Sequence, residues 1–567
     1  MILLEGVVSN KAAASERNRK TNPEFLPDTA DMSLIQKVWD SFAQAISRFW
    51  YIVVATWLLA AFVAFEGYSK QKALWNDEIL VRWVDTLPSV RDIWPQLKFG
   101  VCADPPLFHL LTHGLVSVFG SGASVLRFPS MVGVCVMLLS IFFVLRQQIG
   151  PLYALLGFAL PFCTILPQYA YEARPYGLMY GCLGIAVYCW AKLGKEDVDR
   201  VIWNIGLGLA LTATLACHFY SVFALPAFYL GEVVRTARRH RVSWPTVAAL
   251  MVSTATEGFY WPIIVGIRKL SSNYFEKPTL RSVPGMLHDS LPGLVIPIFA
   301  FLFLVAIFWV LNFRFTRPSV EEADGQFRDL AALALGFLLI PLLAWGAGIV
   351  FLKAFTTRYV LHGLYGVFIL LPLFAARVFN RDRSLGLAML LACGLPTSAF
   401  LLRGALANLE PQHCYDAFLQ LEQALPNLDG DIVVSDPLVF TQVVNYSPAL
   451  KARCIALWDR ENELKYTGID EVSLGAEHGV ELGWYRAQAW SDYRQRNQAF
   501  LFLTVSDGES DLGWLRDYLK QAGRYGNVVL SAGPYLVVKA KPLEIKPAAP
   551  SLNPETKPRT QQPQFPR

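Results

Sequence analysis

The sequence predicts a polytopic α-helical membrane protein of about eleven spans, with interfacial helices in its first outer loop and a small C-terminal α/β unit outside the membrane. Three observations predict it. The 567 residues are 54% hydrophobic and only 17% charged, with a mean hydropathy of +0.36, too apolar for an ordinary soluble enzyme. Apolar runs fit to cross a hydrocarbon core of about 30 Å recur between residues 49 and 402. From about Ala405 the composition turns polar, and Val-rich and Ile-rich runs begin to alternate with helical patterns.

The rest of the composition narrows the class. Sixteen Trp and 22 Tyr supply the amphipathic rings wanted at both membrane interfaces. A net charge of +5 is small for this length and carries no nucleic-acid signal. The nine Cys form no CxxC pair and mostly lie in apolar runs, where Cys packs as a small hydrophobe. Only Cys414 and Cys454 fall in a polar segment, where a disulfide can form if that segment is outside the cytoplasm.

In chain order, residues 1–48 read as a cytoplasmic tail with no evident cleavable signal. Within it Leu34, Ile35, Val38, Phe42 and Ile46 recur at helical spacing, the pattern of an amphipathic helix on the inner surface. A membrane domain spans 49–404, and its first span runs from about Phe49 to Phe65. The following outer loop, 66–126, holds no uninterrupted spanning run. In it Ile79, Leu80, Trp83, Val84 and Leu87 share a helical face opposite Arg82 and Asp85, as in a helix lying among headgroups. A second interfacial helix starts at Pro105-Pro106 and continues through Leu107, Phe108, Leu110, Leu111, Leu115 and Val118.

Further spans are expected at 128–145, 151–169, 175–191, 202–217, 219–234, 245–265, 291–313, 330–351, 361–379 and 385–402. This order keeps Arg146, Lys192, Lys195, Arg235, Arg238, Arg239, Arg381 and Arg383 inside, as the positive-inside rule asks. It leaves the α/β unit, 405–541, outside, with strands expected around Asp431, Phe500, Asn527 and Tyr535. Residues 542–567, rich in Pro, Lys and Gln, are expected to be disordered.

That topology brings one set of groups to the outer face: Asp77, Glu78, Lys98, Asp104, His109, Arg127, Glu172, Arg174, His218, Tyr220, Glu257, Lys353, Arg358 and Tyr359. Cations at headgroup level suit a lipid phosphate, whose charge they stabilise as a bond to it breaks. A carboxylate among them suits a general base that takes a proton from an incoming hydroxyl. A sugar carried on a lipid phosphate meets both needs. Asp77 is the base of choice, because on a helix adjacent side chains diverge by about 100° and Glu78 must point elsewhere, in support.

Plainer readings stand beside each residue. Asp77 and Asp104 also suit helix caps, and Arg127 and Arg174 suit snorkelling anchors. His109 and His113, four apart, lack a third ligand, so no metal or other cofactor is called for. Glu257 lies in the outer half of its span, about 18 Å from the inner end, where an ionisable group is costly.

The ordered set of motifs resembles the GT-C glycosyltransferases. It comprises Asp77-Glu78 after span 1, Asp104-Pro105-Pro106-Leu107, Arg127-Phe128-Pro129-Ser130, Glu172-Ala173-Arg174-Pro175-Tyr176, and Arg358-Tyr359. That superfamily includes protein O-mannosyltransferases, lipid A aminoarabinose transferases and bacterial transferases that use polyprenyl-phosphate sugars, and the resemblance covers about residues 50–405. It implies inverting transfer from a polyprenyl-phosphate sugar to a hydroxyl of a glycolipid, polysaccharide or protein on the outer membrane face. It also implies that Asp77 holds the family's catalytic carboxylate position, that Arg127 and Arg358 lie near the lipid phosphate, and that Lys98 is a looser candidate.

Asp104 departs from the mannosyltransferase pattern, which commonly has His before Pro-Pro, and this points away from a mannosyl donor and a protein acceptor. The C-terminal unit lacks the threefold repeat of the eukaryotic enzymes' inserted domain, which favours a bacterial inner-membrane setting with the unit in the periplasm. The competing classes are a transporter or flippase of lipid-linked sugars and an inactive carbohydrate-binding relative. Transporters tend to show repeated halves, and the two halves here are unlike.

Overall fold

The structure, a computed structural model, describes residues 29–195, 198–270, 277–311, 321–468, 471–496, 498–506 and 513–542. The tail expected to be disordered beyond 542, the first 28 residues and residues 312–320 of the expected inner loop lie outside this set. Helix α1 (Thr29–Arg48) exposes Leu34, Val38 and Phe42 along one stripe, and Trp39 Nε1 ties it to Ser384 O at 3.1 Å. Helix α2 (Trp50–Gln71) runs past the expected end at Phe65 through a polar last turn. Tertiary bonds keep that turn helical: Tyr68 donates to Phe400 O (3.0 Å), Lys70 to Asn408 Oδ1 (3.1 Å) and Gln71 to Ala407 O (2.9 Å).

The first outer loop folds into α3 (Asn76–Asp85), α4 (Val90–Phe99) and α5 (Pro106–Phe119). Ser89 caps α4 and Pro106 opens α5, as proline can where the N–H has no partner. The expectation that α3 lies among headgroups is corrected. Its Ile79 and Val84 are buried, and its Trp83 packs against Trp484 and Tyr485 at 5.4 and 5.9 Å. An apolar helix face needs cover, and here protein supplies it. Helix α5 does keep Leu110, Leu111, Val118 and Phe119 exposed.

Two expected spans fall within α6 (Ala123–Ala159), which breaks at Gly150 (φ 81°) before Pro151. A Cβ on Gly157 would stand 2.2 Å from Leu145 and 3.1 Å from Ile141, so the second limb returns along the first. Then come α7 (Tyr176–Lys192), α8 (Arg200–Leu215), α9 (Leu225–Arg239), α10 (Trp244–Thr256) and α11 (Trp261–Leu270). Helices α12 (Ser282–Ser290) and α13 (Val295–Leu311) meet at a bend of 85°. The bundle ends with α14 (Glu321–Leu338), α15 (Ile340–Ala347), α16 (Thr357–Val360), α17 (Tyr365–Val378) and α18 (Arg383–Ala407).

Among the described residues six helical stretches are long and apolar enough to cross a membrane, or seven if the bent pair is one span. A count of eleven requires both limbs of α6 to cross, and also α7, α8 and α9. The last three, at 17, 16 and 15 residues, fall short of the roughly 20 a full crossing takes.

Residues beyond α18 build a mixed sheet of six strands flanked by helices. The order is α19 (Asp416–Ala424), β1 (Ile432–Val434), α20 (Pro437–Tyr446), α21 (Pro448–Arg453), β2 (Cys454–Trp458), α22 (Arg460–Tyr466), α23 (Glu471–Glu481) and β3 (Ala487–Ala489). It continues with α24 (Trp490–Tyr493), β4 (Phe500–Val505), α25 (Trp514–Gln521), β5 (Asn527–Ala532) and β6 (Tyr535–Ala540). Across the sheet the order is β3-β2-β1-β4-β6-β5, parallel through β4 and antiparallel at β6 and β5. Ile432 and Val434 face one core and Val433 the other, so a central strand reads as a continuous apolar run. Cys454 is buried at the start of β2 while Cys414 contacts Lys70 O, and both thiols are free.

Small residues set the spacing of the first helix pairs. A Cβ on Gly133 would lie 2.2 Å from Gly177 O, and one on Gly67 would lie 1.9 Å from Gly404 O. In lipid such contacts hold helices together through close backbone packing. Gly133→Ala is expected to cost about 1–3 kcal/mol, read as a lower melting temperature in detergent. Gly114→Ala on α5, with open space at its Cβ, is expected not to lower it.

Candidate active site

The site grows from the link between α2 and α3. Helix α3 begins at Asn76, and the Glu78 carboxylate closes its first turn by accepting from Trp75 N–H at 3.3 Å. Glu78 is fully buried and meets Arg127 of α6 through two parallel bonds, Nε to Oε1 at 2.7 Å and Nη2 to Oε2 at 2.8 Å. Ala173 N–H adds a third at 2.6 Å. Burial by itself would raise the Glu78 pKa, but Arg127, with Lys72 and the Ala173 amide, overrides it and holds the carboxyl below its usual range.

Arg127 is spent on this framework. Its Nη1 donates to Ser69 O (2.6 Å) and Lys72 O (2.9 Å), and its Nη2 also reaches Ala73 O (3.3 Å). Its side chain is completely enclosed, and each guanidinium nitrogen is engaged within the protein. The expectation that Arg127 lies at a lipid phosphate is therefore revised: it clamps the end of α2, the link and α3. From sequence, an arginine at a span end looks the same in either role.

Asp77, one residue earlier, turns the other way. Its side chain is 27% exposed and pairs with Arg174 Nη1. The Arg174 guanidinium lies 5.4 and 5.1 Å from the centroids of the Trp75 and Tyr176 rings and donates to Tyr176 Oη at 3.3 Å. Burial disfavours its charge, yet facing Asp77 it stays firmly protonated.

Asp104 arrives from the turn before α5, where Ala103 takes φ 54° and Leu107 N–H reaches across to Ala216 O at 3.0 Å. It is buried, and burial pushes its carboxyl up to about 6, opposed by Arg174, His109 and Arg358 and reinforced by Asp77. His218 Nε2 stands 3.9 Å away. Burial, then Arg174, His362 and Arg358, keep that imidazole neutral, well below its ordinary pKa, so the contact is not an ion pair.

An aromatic wall adjoins these charges. His218 packs on Tyr176 (4.9 Å) and Tyr359 (5.2 Å), Tyr359 packs on Tyr220 (4.5 Å), and the Arg358 guanidinium lies 5.5 Å from the Tyr359 ring. Tyr220 Oη donates to Ala354 O (2.9 Å), joining the segments after α8 and before α16.

Among the residues expected from sequence, the structure thus gathers Asp77, Asp104, Arg174, Arg358 and Tyr359, and sets Glu78 and Arg127 behind them. Glu172 is taken by Lys72, whose Nζ donates to its Oε1 at 2.6 Å. His109 is fully buried, with Nδ1 on Asp85 Oδ1 at 2.8 Å, and His113 Nδ1 reaches Asp85 O at 2.9 Å. The two histidines thus bracket Asp85, which explains their spacing without a metal, and the Asp85 carboxylate raises the His109 pKa against the effect of burial.

Two expected residues do not join. Lys98 is exposed on α4, whose backbone packs on Gly266 of α11. Glu257 sits at the junction after α10, with Tyr260 as its electrostatic neighbour. Lys72, Trp75 and Asp85 belong to the site's frame; Asp85, expected on the polar face of α3, is instead fully buried, and neither Lys72 nor Trp75 was assigned a role. Lys72, a cation just before the paired acids, was the readable signal; nothing local marks the burial of Asp85.

This geometry can be set beside known proteins. A family model described as dolichyl-phosphate-mannose-protein mannosyltransferase matches residues 103–261. No curated protein sequence matches the chain. ArnT from Cupriavidus metallidurans bound to undecaprenyl phosphate has a similar structure, with TM-score 0.52 at 10% identity over 86% of this chain and 98% of that one. The apo form of the same protein aligns with TM-score 0.45 at 13% identity, over 87% of this chain and 98% of that one. The chain therefore has an ArnT-like fold.

The clamp has a measurable weight. Arg127→Met strands a buried carboxylate and is expected to cost about 3–5 kcal/mol of stability. Replacing both partners, in Glu78→Leu with Arg127→Met, is expected to restore only part of it, because the backbone groups that the pair satisfies stay without partners. Thermal unfolding of the three proteins in detergent measures the difference.

Proposed function

We propose that this protein is an inverting glycosyltransferase that moves a sugar from a polyprenyl-phosphate donor to an acceptor hydroxyl at the outer membrane face. The observation that carries the reading is Asp77. It is a partly exposed carboxylate beside a buried arginine and an aromatic wall, and it sits where two neighbouring acids have opposite surroundings. The fold supports the donor class, since the ArnT structure that shares it holds undecaprenyl phosphate. The acceptor is a hydroxyl of a glycolipid, polysaccharide or protein, and the sugar is a hexose or pentose.

In this reading Arg174 and Arg358 bind the donor phosphate, and the tyrosines of the wall take the sugar ring. The phosphate draws Arg174 partly off Asp77, which leaves the carboxylate free to act as a base. Asp77 then takes the acceptor proton, the acceptor oxygen bonds to the anomeric carbon, and the bond from that carbon to the phosphate oxygen breaks. Its electron pair leaves with the polyprenyl phosphate, whose growing charge the two arginines stabilise. Asp104, when ionised, balances the charge of the two arginines, and His218 stays neutral beside them. Glu172 and Lys72 act as a neutral pair at the rim, and no step calls for a metal or another cofactor.

We place the protein in a bacterial inner membrane, N-terminus inside and the α/β unit in the periplasm. The basic cluster of Arg235, Arg238 and Arg239 at the end of α9 supports that orientation, because it belongs to the helix end remote from His218 and Tyr220.

Asp77→Asn is expected to lower transfer from a radiolabelled polyprenyl-phosphate sugar by about 10²- to 10⁴-fold in protein that still folds, with a melting temperature lowered by the loss of the Arg174 partner. Wild-type turnover by that variant would remove Asp77 as the base.

Acidity gives a second check. Asp104 loses its charge as the pH falls through about 6, so the transfer rate is expected to drop across that range. Asp104→Asn is expected to be slower at neutral pH and to lack that limb of the pH–rate profile.

A further inference from the structure

The C-terminal α/β unit meets the first outer loop at the segment that carries Asp77. Peptide groups of an extended link need partners outside regular structure, and five of those between Lys72 and Trp75 find them in side chains. The carbonyls of Lys72 and Ala73 go to Arg127, at 2.9 and 3.3 Å. The Trp75 N–H goes to Glu78 at 3.3 Å. Both polar groups of Leu74 go to Tyr446, the last residue of α20: its hydroxyl accepts from Leu74 N–H and donates to Leu74 O at 3.3 Å. The link is thus held from the membrane side by Arg127 and from the α/β unit by Tyr446.

The Tyr446 ring is itself fixed. It stacks on Phe418 at 4.9 Å and meets Tyr415 at 5.0 Å, within the same core that buries α20. Around it α3 is braced along its length, by Trp83 on Trp484 and by Arg82 Nη1 on Asn445 Oδ1 at 3.4 Å. A second footing lies on α4, where His478 stacks on Phe99 at 3.8 Å and its Nε2 bonds Gln96 Oε1 at 2.6 Å. Trp75, next after Leu74, forms one wall of the Arg174 pocket, and Asp77 is the partner of that arginine. Movement of Leu74 therefore shifts Asp77 against Arg174, whose backbone Ser130 holds separately by donating to its carbonyl at 2.6 Å.

We propose that Tyr446 is a positioning residue for sugar transfer and that the α/β unit sets the attitude of α3 through it. This rests on the reading of Asp77 as base. A base misplaced by about 1 Å loses roughly 100-fold in rate while the groups that bind the donor are untouched. Tyr446 touches no reacting atom.

The experiment uses the full chain in detergent with Tyr446→Phe, which keeps the ring and its stacking and removes only the hydroxyl. Amide hydrogen exchange of residues 73–80 is expected to speed up, and kcat to fall about 10- to 100-fold when assayed well below the slightly lowered melting temperature, with donor KM unchanged. Trp484→Ala, which loosens the far end of α3, is expected to give the same selective loss of kcat and serves if the first variant folds poorly. Unchanged exchange across 73–80 overturns the proposal whatever happens to activity. So does faster exchange with an unchanged kcat, or a loss of kcat that only follows a lower melting temperature. Absence of transfer by the wild-type protein would instead overturn the glycosyltransferase reading, and the exchange result would still judge whether Tyr446 holds the link.

Discussion

The buried pair of Glu78 and Arg127 is the constraint on which the site depends. Taking two charges out of water is costly, and such a pair breaks even only when its geometry is good and its remaining hydrogen bonds are filled. Both conditions hold: the contact is bidentate, Ala173 N–H completes the carboxylate, and backbone carbonyls of Ser69, Lys72 and Ala73 complete the guanidinium. What the pair contributes is direction. Because neighbouring helical side chains diverge by about 100°, pinning Glu78 inward turns Asp77 outward. Two acids that look alike in sequence thereby acquire opposite surroundings.

The other walls reach the same place because the bundle lets them. Gly133, Gly177 and Gly181 bring α6 and α7 to backbone contact, so the segment with Glu172, Ala173 and Arg174 emerges beside the start of α3. Ser130 fixes its height by donating to Arg174 O at 2.6 Å. The segments holding His218 with Tyr220 and Arg358 with Tyr359 are joined at Ala354. Each wall is short and irregular, but each leaves a helix end whose position is set by packing below it.

How much of this was legible in the sequence follows from what a sequence encodes locally. The apolar helices, the outer-loop helices α3 and α5, the strands β1, β4, β5 and β6 and the divergence of Asp77 from Glu78 all follow from period and composition, whereas α4 was not expected. Strand β2 did not stand out, since Cys454-Ile-Ala-Leu-Trp458 is brief and apolar throughout, like any buried fragment. The cover over α3 was misread because an amphipathic face reveals that it must be buried, not what buries it. The role of Arg127 was misread for a related reason: a lone arginine at a span end does not name its partner. Tyr446 gave no signal, and Asp85 read only as a polar-face residue, as both act through residues distant in sequence.

Charge conservation ties these pieces to the proposed chemistry. Glu78 with Arg127 and Lys72 with Glu172 are neutral pairs, so neither adds net charge to the site. Around the reacting position stand Asp77 and Asp104 against Arg174 and Arg358, with His218 neutral, and these also balance while Asp104 is ionised. A phosphodiester donor brings in one negative charge, and its departure as a phosphomonoester adds up to about one more. In a largely buried site that increase would be expensive. A proton taken by Asp77 from the acceptor removes a negative charge in the same step, so the total hardly changes. The proposed step needs a base beside the arginines assigned to the phosphate, and Asp77, which faces Arg174, is the carboxylate proposed for it. Glu78 could not serve, because its charge is already committed to Arg127.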